Sequence, residues 1–387
     1  MNTKLLTIML TDSCNGDCKY CYQKFSKEKL GNLAVENIGK IEELLPEIDV
    51  IQFFGGEPLL EERFIFKLDE RIDYLIQKNI LSKKPIYVFS TNLTFLTDAF
   101  KRFLWKLKGE GNNPEFIITV DGEREVHDKN RILKNGDSSY ENLLKNYNFL
   151  IENGFSVETI YIVYNNEHLL KHLSLKDCLT NITDTFSQVK YVLFNFEQLF
   201  EETKISEEMI KQLRYGLLKD IFEDIISGNK EFIKCRSYLL QELMRIYDSI
   251  MDEKANKVKC LMEGKKISIT PNGKIFMCID QYYNGKNAVG NLQEMSISKD
   301  TLSKYTLSNN LKPEKCQKCS VNRICRPCPL KTEISEKECQ ERYKYNTMII
   351  EYLKKVYSDK NILKHFIQYS QIHQNVLAVI YYYIRTK

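Results

Sequence analysis

Short apolar runs alternate with amphipathic stretches along the first half of the chain. The apolar runs have the length and composition of buried β-strands and cover Leu5–Leu10, Val50–Phe54, Ile86–Phe89, Phe116–Val120, Thr159–Val163 and Tyr191–Phe194. The amphipathic stretches have helical periodicity and cover Ala34–Leu45, Glu61–Gln77, Asp98–Leu107, Tyr140–Asn153 and Glu167–Asp177. This alternation predicts an α/β fold in which a parallel sheet with crossover helices forms a partial (β/α)6 TIM-like barrel. Functional residues are then expected on loops at the C-terminal ends of the strands.

The second half of the chain changes character twice. Residues 201–257 are helical and charged, with a break near Gly228, and predict two linker helices. Residues 258–340 are rich in Gly, Pro and Cys and contain a predicted hairpin over Lys266–Cys278, because Asn272-Gly273 favours a tight turn. The pattern therefore predicts four segments: a barrel over 1–200, a helical insert over 201–257, a Cys-rich domain over 258–340 and a helical tail over 341–387.

Composition excludes several classes of protein. The chain has 387 residues and is 43% hydrophobic, which is too apolar for a disordered protein. Its net charge is only +4, so no nucleic-acid partner is predicted. No apolar run approaches the ~20 residues that span a bilayer, and the N-terminus has no cleavage site of small residues. We therefore expect a cytoplasmic protein without a membrane partner.

The 12 cysteines are the unusual part of the composition. In a reducing compartment, cysteines at fixed short spacings favour metal or cluster ligation over disulfides. They fall into two groups, one at residues 14–21 and one at residues 260–339, with Cys178 and Cys235 between them. We expect Cys178, late in a helix, to be a small buried side chain.

The first group has the spacing C-x3-C-x2-C and directly follows the first predicted strand. Three thiolates on one loop, those of Cys14, Cys18 and Cys21, can hold three irons of a cubane cluster and leave the fourth iron open to a small molecule. A zinc site needs a fourth ligand, and none follows nearby, so zinc would require a distant residue. With the aromatic Tyr20 before the last cysteine, this loop resembles the signature of the radical S-adenosylmethionine (SAM) superfamily.

That resemblance implies a [4Fe-4S] cluster whose open iron binds SAM. Cleavage of SAM then yields a 5′-deoxyadenosyl radical, which abstracts a hydrogen atom from the substrate. Later strand ends resemble further motifs of the superfamily and imply SAM-binding roles for Gly55, Gly56, Glu57, Pro58, Ser90, Asn92, Thr119 and Arg131. His127 and Asp128, in the same stretch as Arg131, are expected to pair by a hydrogen bond that orders the loop.

The second group of cysteines resembles the SPASM domain, a C-terminal extension that carries auxiliary iron–sulfur clusters. The resemblance implies an outer cluster on Cys316, Cys319, Cys325 and Cys339. It implies an inner cluster on Cys260, Cys278 and Cys328, although the spacing Cys325-x2-Cys328 departs from the family's C-x3-C. The expected cofactors are thus SAM and three [4Fe-4S] clusters, and two zinc sites are the alternative for this region.

Two points in this region stay open. The motif cysteines are one short of a full ligand set for three clusters, so the last ligand of the inner cluster is Cys235, a substrate thiolate or none. Asp280 lies two residues after Cys278 and is the best candidate to take a proton from the substrate, with a turn-capping role as the alternative.

The resemblance implies a peptide-modifying enzyme. We expect it to install a cross-link, a thioether above all, in a ribosomally made peptide. An anaerobic sulfatase-maturating enzyme that forms formylglycine is the second candidate, and a non-catalytic iron–sulfur or zinc protein is the candidate from another class. The expected partners are a peptide or protein substrate, a low-potential ferredoxin or flavodoxin and, because the chain begins at its first strand, a separate leader-recognition protein or a leader site on residues 201–257 or the tail.

Overall fold

The structure is a computed structural model of the chain. It describes residues 5–25, 29–198, 200–251, 266–283, 285–294, 296–297, 314–325, 335–370 and 372–385. Cys260 and Cys328 lie outside these ranges, and so do parts of the predicted segments 201–257, 258–340 and 341–387.

Strands and helices alternate as the hydrophobic pattern predicts. The strands are β1 Leu5–Thr11, β2 Val50–Gly55, β3 Ile86–Thr91, β4 Glu115–Thr119, β5 Ser156–Tyr164, β6 Tyr191–Phe196, β7 Lys266–Ile269, β8 Lys274–Phe276, β9 Gly290–Asn291 and β10 Ser296–Ile297. The α-helices are α1 Ile38–Ile41, α2 Glu62–Gln77, α3 Asp98–Gly109, α4 Arg124–Asn130, α5 Ser139–Glu152, α6 Asn166–Leu170, α7 Leu175–Thr185, α8 Glu207–Ser227, α9 Arg236–Met251, α10 Ile279–Tyr283, α11 Glu314–Gln317, α12 Glu336–Ser358, α13 Lys360–Ser370 and α14 Gln374–Arg385. Short 3-10 turns cover Tyr22–Phe25, Val35–Asn37, Glu42–Glu47, Pro58–Glu61 and Lys230–Cys235.

The chain forms two compact units, each built from two separate stretches. The first unit comprises Met1–Val163 and Leu261–Thr306, and the second comprises Tyr164–Cys260 and Leu307–Lys387. Each unit thus combines stretches that the sequence pattern assigns to different segments.

A sheet in the order β10-β9-β8-β7-β1-β2-β3-β4-β5 organises the first unit. Strands β1 to β5 are parallel neighbours, as the α/β pattern predicts. One face of the sheet is a closed apolar layer, because Leu6, Ile8, Ile51 and Phe53 are fully buried. The opposite face is polar at the same level of the sheet, where Thr7 donates to Gln52 over 3.1 Å.

The predicted hairpin over Lys266–Cys278 is confirmed, and it extends the same sheet. Strands β7 and β8 are antiparallel, with Gly273 in the turn at φ +76°. Strand β7 then pairs in parallel with β1, in a register that places Ser268 beside Thr7. Because β7 pairs with β1, the hairpin lies beside the barrel strands, and Cys278 follows its second strand.

The second unit is mainly helical. The Gly228 break is confirmed, since Gly228 ends α8 in the left-handed conformation, and α9 follows a short 3-10 turn. Arg245 on α9 donates to the carbonyl oxygen of Ile324 over 2.8 Å and to Asn346 on α12 over 3.1 Å. These contacts hold residues 314–325, which carry Cys316, Cys319 and Cys325, against two long helices.

Three helix predictions need correction. The predicted helix Glu167–Asp177 is two helices, because Ser174 caps α7: its hydroxyl accepts a hydrogen bond from Asp177 N–H, and its backbone N–H donates to the Asp177 carboxylate. The predicted helix Ala34–Leu45 is a chain of short α and 3-10 turns. Helix α4 lies where the sequence indicates only a loop. No described helix is long and apolar enough to cross a membrane.

Candidate functional site

The loop that carries Cys14, Cys18 and Cys21 is held by backbone pairing with residues 130–134. Asp17 N–H donates to the Ile132 carbonyl over 2.7 Å, and Lys19 N–H donates to the Asn130 carbonyl over 2.9 Å. Lys134 belongs to the same segment, and its ammonium donates to the Cys14 carbonyl over 2.7 Å. Residues 130–134 thus form a clamp on the cysteine loop. The loop after β1 is therefore fixed by the segment that follows α4.

Two glycines after β2 let the backbone approach this loop from the other side. Gly56 N–H donates to the Thr11 carbonyl over 2.8 Å, and Glu57 N–H donates to the Ser13 carbonyl over 2.9 Å. A Cβ on Gly55 would lie 2.4 Å from the Thr11 carbonyl oxygen, and one on Gly56 would lie 2.1 Å from the Ser13 carbonyl oxygen. Only glycine fits at these two positions, because the neighbouring atoms belong to backbone.

Glu57 fastens the end of β2 to the end of β3. Its fully buried carboxylate accepts hydrogen bonds from Thr91 Oγ1 over 2.7 Å, from Asn92 N–H over 2.8 Å and from Leu59 N–H over 3.1 Å. Burial raises the pKa of Glu57 to about 7 in spite of these bonds. The carboxylate oxygens thus have partners within the protein, and the SAM-binding role of Glu57 stays a prediction.

Asp121, the residue after Val120 at the end of β4, binds the cysteine loop through Tyr20. The Tyr20 hydroxyl donates to the buried Asp121 carboxylate, which also pairs with Arg131 over 3.1 Å. The Arg131 guanidinium carbon lies 5.3 Å from the Tyr20 ring centroid. The Arg131 guanidinium thus lies against Asp121 and Tyr20, and its SAM-binding role stays a prediction.

His127 and Asp128 order the loop after β4 through different partners. His127 is buried, and its Nδ1 accepts from Asp121 N–H over 3.2 Å. Burial, reinforced by the charge of Arg131, lowers the pKa of His127 to about 4, so the imidazole is neutral near pH 7. Asp128 instead accepts from Ser138 Oγ and from Tyr140 N–H at the start of α5. The expected loop-ordering role is found, but not the expected pair.

The remaining residues predicted to bind SAM lie at the same end of the sheet. Ser90 accepts from Gln52 Nε2 over 2.8 Å, Thr119 ends β4 opposite Tyr161, and Pro58 is buried at the start of a 3-10 turn. Asn92 directs its side chain to the cysteine loop, where Nδ2 lies 2.8 Å from Asn15 Oδ1. Asn15 was not expected to take part in the site.

Helix α10 brings a cysteine and a carboxylate to the cysteine loop. The Tyr283 ring on α10 packs edge-on against the ring of Tyr22, the residue after Cys21, with centroids 4.5 Å apart. Cys278 Sγ lies 3.4 Å from Asp280 Oδ2, and burial together with that carboxylate raises the pKa of Cys278 to about 11. Sequence reasoning missed both tyrosines, although the position of Tyr22 beside Cys21 was a signal for one of them.

The other cysteines have the following places. The pKa of Lys315 is raised, chiefly by its hydrogen bond to Glu336 and to a smaller extent by the nearby Cys339 and Cys316. Cys319 N–H donates to the Cys316 carbonyl over 3.1 Å, and Cys325 N–H to Val321 over 3.0 Å. Cys178 is buried in α7, as expected. Cys235 is fully buried at the end of a 3-10 turn, and the charged groups that act on it include Lys176 and Asp224.

The donor set of the first loop fits an iron–sulfur cluster. A Cβ on Gly16 would lie 3.8 Å from both Cys14 Sγ and Cys18 Sγ, so the glycine leaves the space beside these thiols open. Thiolate sulfur is the ligand that such clusters require. Within the described ranges, no three His, Cys, Asp or Glu side chains are grouped closely enough to hold a single metal ion. A cubane cluster makes a different demand, because each thiolate binds a different iron.

We expect Gly56→Ala to remove the cluster of the first loop, because its methyl group would displace the Ser13 carbonyl. Iron and sulfide per chain, measured after anaerobic reconstitution, should fall by the content of one cluster. Gly39→Ala is the matched control, since a Cβ there meets nothing within 4 Å. Wild-type iron content in Gly56→Ala would contradict the prediction.

His127 also predicts a pH dependence of stability. With a pKa of about 4 when folded and about 6.5 when unfolded, its neutral form stabilises the fold at pH 7, and this contribution is lost as the pH falls towards 4. Between pH 7 and pH 5 the wild type should lose about 2 kcal/mol of unfolding free energy relative to His127→Gln.

Urea unfolding of both proteins at pH 7, 6 and 5 measures this difference. The control is His373→Gln, because His373 is exposed and should leave the slope unchanged. Parallel pH dependence of the wild type and His127→Gln would refute the assignment.

Comparisons with known proteins agree with this geometry. The model of the radical SAM superfamily matches residues 8–175, and the SPASM model, an iron–sulfur cluster-binding domain, matches residues 260–329. The cysteine-type anaerobic sulfatase-maturating enzyme of Clostridium novyi (strain NT) is 23% identical over 350 residues, which are 82% of this chain and 84% of that enzyme.

Two solved structures share the fold. Native anSMEcpe with bound AdoMet superposes with a TM-score of 0.65 at 19% identity and covers 93% of this chain and 98% of its own. SuiB of Streptococcus suis, bound to precursor peptide SuiA, gives a TM-score of 0.54 at 15% identity and covers 84% of this chain and 72% of its own. The expected TIM-like fold and Cys-rich domain are confirmed, and the domains imply SAM and [4Fe-4S] clusters as cofactors. The chain therefore belongs to the radical SAM superfamily, as an enzyme with a SPASM domain.

Proposed function

We propose that this enzyme abstracts a hydrogen atom from a residue of a peptide or protein and uses Asp280 to remove a proton from the same substrate. The observation that carries the proposal is the packing of α10 on the cysteine loop. Through Tyr283 and Tyr22, this contact brings Asp280 to the side of the loop that follows Cys21. In this proposal, the substrate meets SAM on this side of the cysteine loop.

Cys14, Cys18 and Cys21 are the proposed ligands of the SAM-binding cluster. When bound, the clusters and SAM supply the radical that takes the hydrogen atom and an acceptor for the second electron of the oxidation. The protein supplies placement: the clamp of residues 130–134 and the close approach of Gly55 and Gly56 fix the loop. The proposed SAM pocket is lined by Arg131, which follows α4, and by residues in or just after the ends of β2, β3 and β4: Gly55, Gly56, Glu57, Pro58, Ser90, Asn92 and Thr119.

Asp280 is the proposed base. A carboxylate that accepts a proton as the substrate is oxidised must lie close to the reacting carbon or its heteroatom. The charge of Asp280 also reaches Tyr161 near the end of β5, whose pKa is raised by burial and then by this carboxylate. The charge of Asp280 thus acts on Tyr22 beside the cysteine loop and on Tyr161 of β5.

The proposed auxiliary centres follow the SPASM cysteines. Cys316, Cys319, Cys325 and Cys339 form the ligand set of the outer cluster, and Cys260, Cys278 and Cys328 contribute to the inner one, which gives three clusters in all. The last inner ligand is a substrate thiolate or Cys235, or that iron stays open. Burial raises the pKa of Cys235 to about 12, so its thiol stays protonated at neutral pH unless a metal binds it.

The first candidate product is a thioether cross-link in a ribosomally made peptide. Its support is the likeness in fold to SuiB, a protein solved with a precursor peptide. Formylglycine is the second candidate, supported by the cysteine-type sulfatase-maturating relative, to which 82% of this chain aligns. Both products need a radical at a side chain or α-carbon and removal of a proton. The proposed partners are the peptide substrate, a low-potential ferredoxin or flavodoxin and a leader-recognition protein.

Asp280→Asn should separate SAM cleavage from product formation. We expect 5′-deoxyadenosine to form within about threefold of the wild-type rate, whereas product falls roughly 10²- to 10⁴-fold, because only proton removal is lost. Both are measured by chromatography with the Kp18Cys peptide, which is bound in one of the similar structures, as the first substrate. Asp137→Asn, in an exposed loop, is the control. Full product formation by Asp280→Asn would eliminate this carboxylate as the base.

The product itself distinguishes the two candidate reactions. A thioether maturase should lower the mass of its peptide by about two units per cross-link, because two hydrogens leave as one bond forms. A sulfatase-maturating enzyme should instead produce an aldehyde that hydrazide reagents trap. If the reconstituted protein, reduced and given SAM, forms no 5′-deoxyadenosine, the radical reaction itself is wrong.

A further inference from the structure

Three polar side chains form a closed ring of hydrogen bonds beside Cys14. Asn15 Nδ2 donates to Thr94 Oγ1 over 2.8 Å, Thr94 Oγ1 donates to Asn92 Oδ1 over 2.7 Å, and Asn92 Nδ2 donates to Asn15 Oδ1 over 2.8 Å. Each member donates once and accepts once within the ring, so the three bonds reinforce one another. The ring joins the cysteine loop to the loop after β3.

The ring fixes which way the Asn92 amide points. Asn92 Oδ1 accepts from both the backbone N–H and the hydroxyl of Thr94. The amide nitrogen must therefore be the atom on the opposite side, where it lies 3.7 Å from Cys14 Sγ. A second donor, the backbone N–H of Gly16, lies 3.3 Å from the same sulfur. Cys14 thus has two N–H groups directed at its sulfur.

The backbone that presents Asn92 and Thr94 is strained. Leu93, between them, has φ +54°, in the left-handed region that disfavours side chains other than glycine, asparagine and aspartate. It is held there by Asn146 Nδ2, which donates to the Leu93 carbonyl over 3.0 Å, and by complete burial. Strain of this kind persists where surrounding structure imposes it, commonly at functional sites.

We propose that Asn92, held by Asn15 and Thr94, is a positioning residue that raises the reduction potential of the SAM-binding cluster by donating a hydrogen bond to the Cys14 sulfur. The inference rests on the proposed ligation by Cys14, Cys18 and Cys21. Reduction adds negative charge to the cluster and its thiolates, and an N–H donor stabilises that charge more in the reduced state than in the oxidised state. The ring keeps this donor aimed at the sulfur.

The test is an anaerobic redox titration of the full-length reconstituted protein, followed by electron paramagnetic resonance. The signal of the SAM-binding cluster is the one that changes when SAM is added. Leucine is close in size to asparagine but has no donor. At a fixed potential, Asn92→Leu should therefore lower the ratio of reduced to oxidised SAM-binding cluster about tenfold, which corresponds to a reduction potential lower by about 59 mV for one electron. Thr94→Val, which keeps Asn92 but opens the ring, should shift the ratio about threefold in the same direction.

Thr97→Val is the matched control. This substitution also removes structural hydrogen bonds, because the Thr97 hydroxyl caps α3 and donates to Glu62, but neither bond involves the cysteine loop. It should leave the potential unchanged. An unchanged potential in Asn92→Leu with full iron content would overturn the proposal.

Two further outcomes are decided in advance. If Asn92→Leu does not keep its iron, the test rests on Thr94→Val. An unchanged reduction potential in Thr94→Val overturns the tuning role. Loss of the cluster in Thr94→Val, when Thr97→Val keeps it, overturns that role as well. Failure of the ligand assignment would look different, because Cys14→Ala would then keep the wild-type iron content.

Discussion

The close approach of two backbones, residues 55–56 after β2 and residues 11–13 after β1, is the constraint on which the site depends. The cysteine loop contains no helix or strand of its own, so its shape comes from what surrounds it. On one side the absence of a side chain at Gly55 and Gly56 allows direct hydrogen bonds to Thr11 and Ser13. On the other side residues 130–134 bond to four backbone groups of the loop: the N–H groups of Asp17 and Lys19 and the carbonyls of Cys14 and Asn15. Any side chain between these layers would move the three thiols.

Several polar side chains around the cysteine loop form hydrogen bonds with other groups of the protein. The carboxylates of Glu57 and Asp121 are buried, and each accepts hydrogen bonds that join one strand end to another. Arg131 and His127 are likewise directed at Asp121 and its backbone. A buried polar group without a partner costs free energy, so these residues stabilise the loops only as a set. Motif residues that a resemblance assigns to a cofactor can therefore also be the scaffold that presents it.

The pairing of β7 with β1 connects the Cys-rich region to the barrel. Because β7 continues the parallel sheet, the hairpin that ends near Cys278 is fixed relative to the loop that carries Cys14, Cys18 and Cys21. Tyr22 and Tyr283 then close the space between them by ring packing. The fold thus places Cys278 and Asp280 near the loop by backbone pairing as well as by side-chain contact.

The six alternating strands, the break at Gly228 and the hairpin could be predicted from the sequence, because apolar periodicity and turn residues act over a few neighbours. The Glu167–Asp177 helix could not, because the hydrogen bonds of Ser174 with Asp177 compete with helix continuation. The partners of the polar side chains became known from the folded chain. Asn15 and Asn92 are 77 residues apart in sequence, and nothing local to either one indicates that their amides meet. Such contacts depend on which loops the folded sheet brings to the same edge, and that is a property of the whole chain.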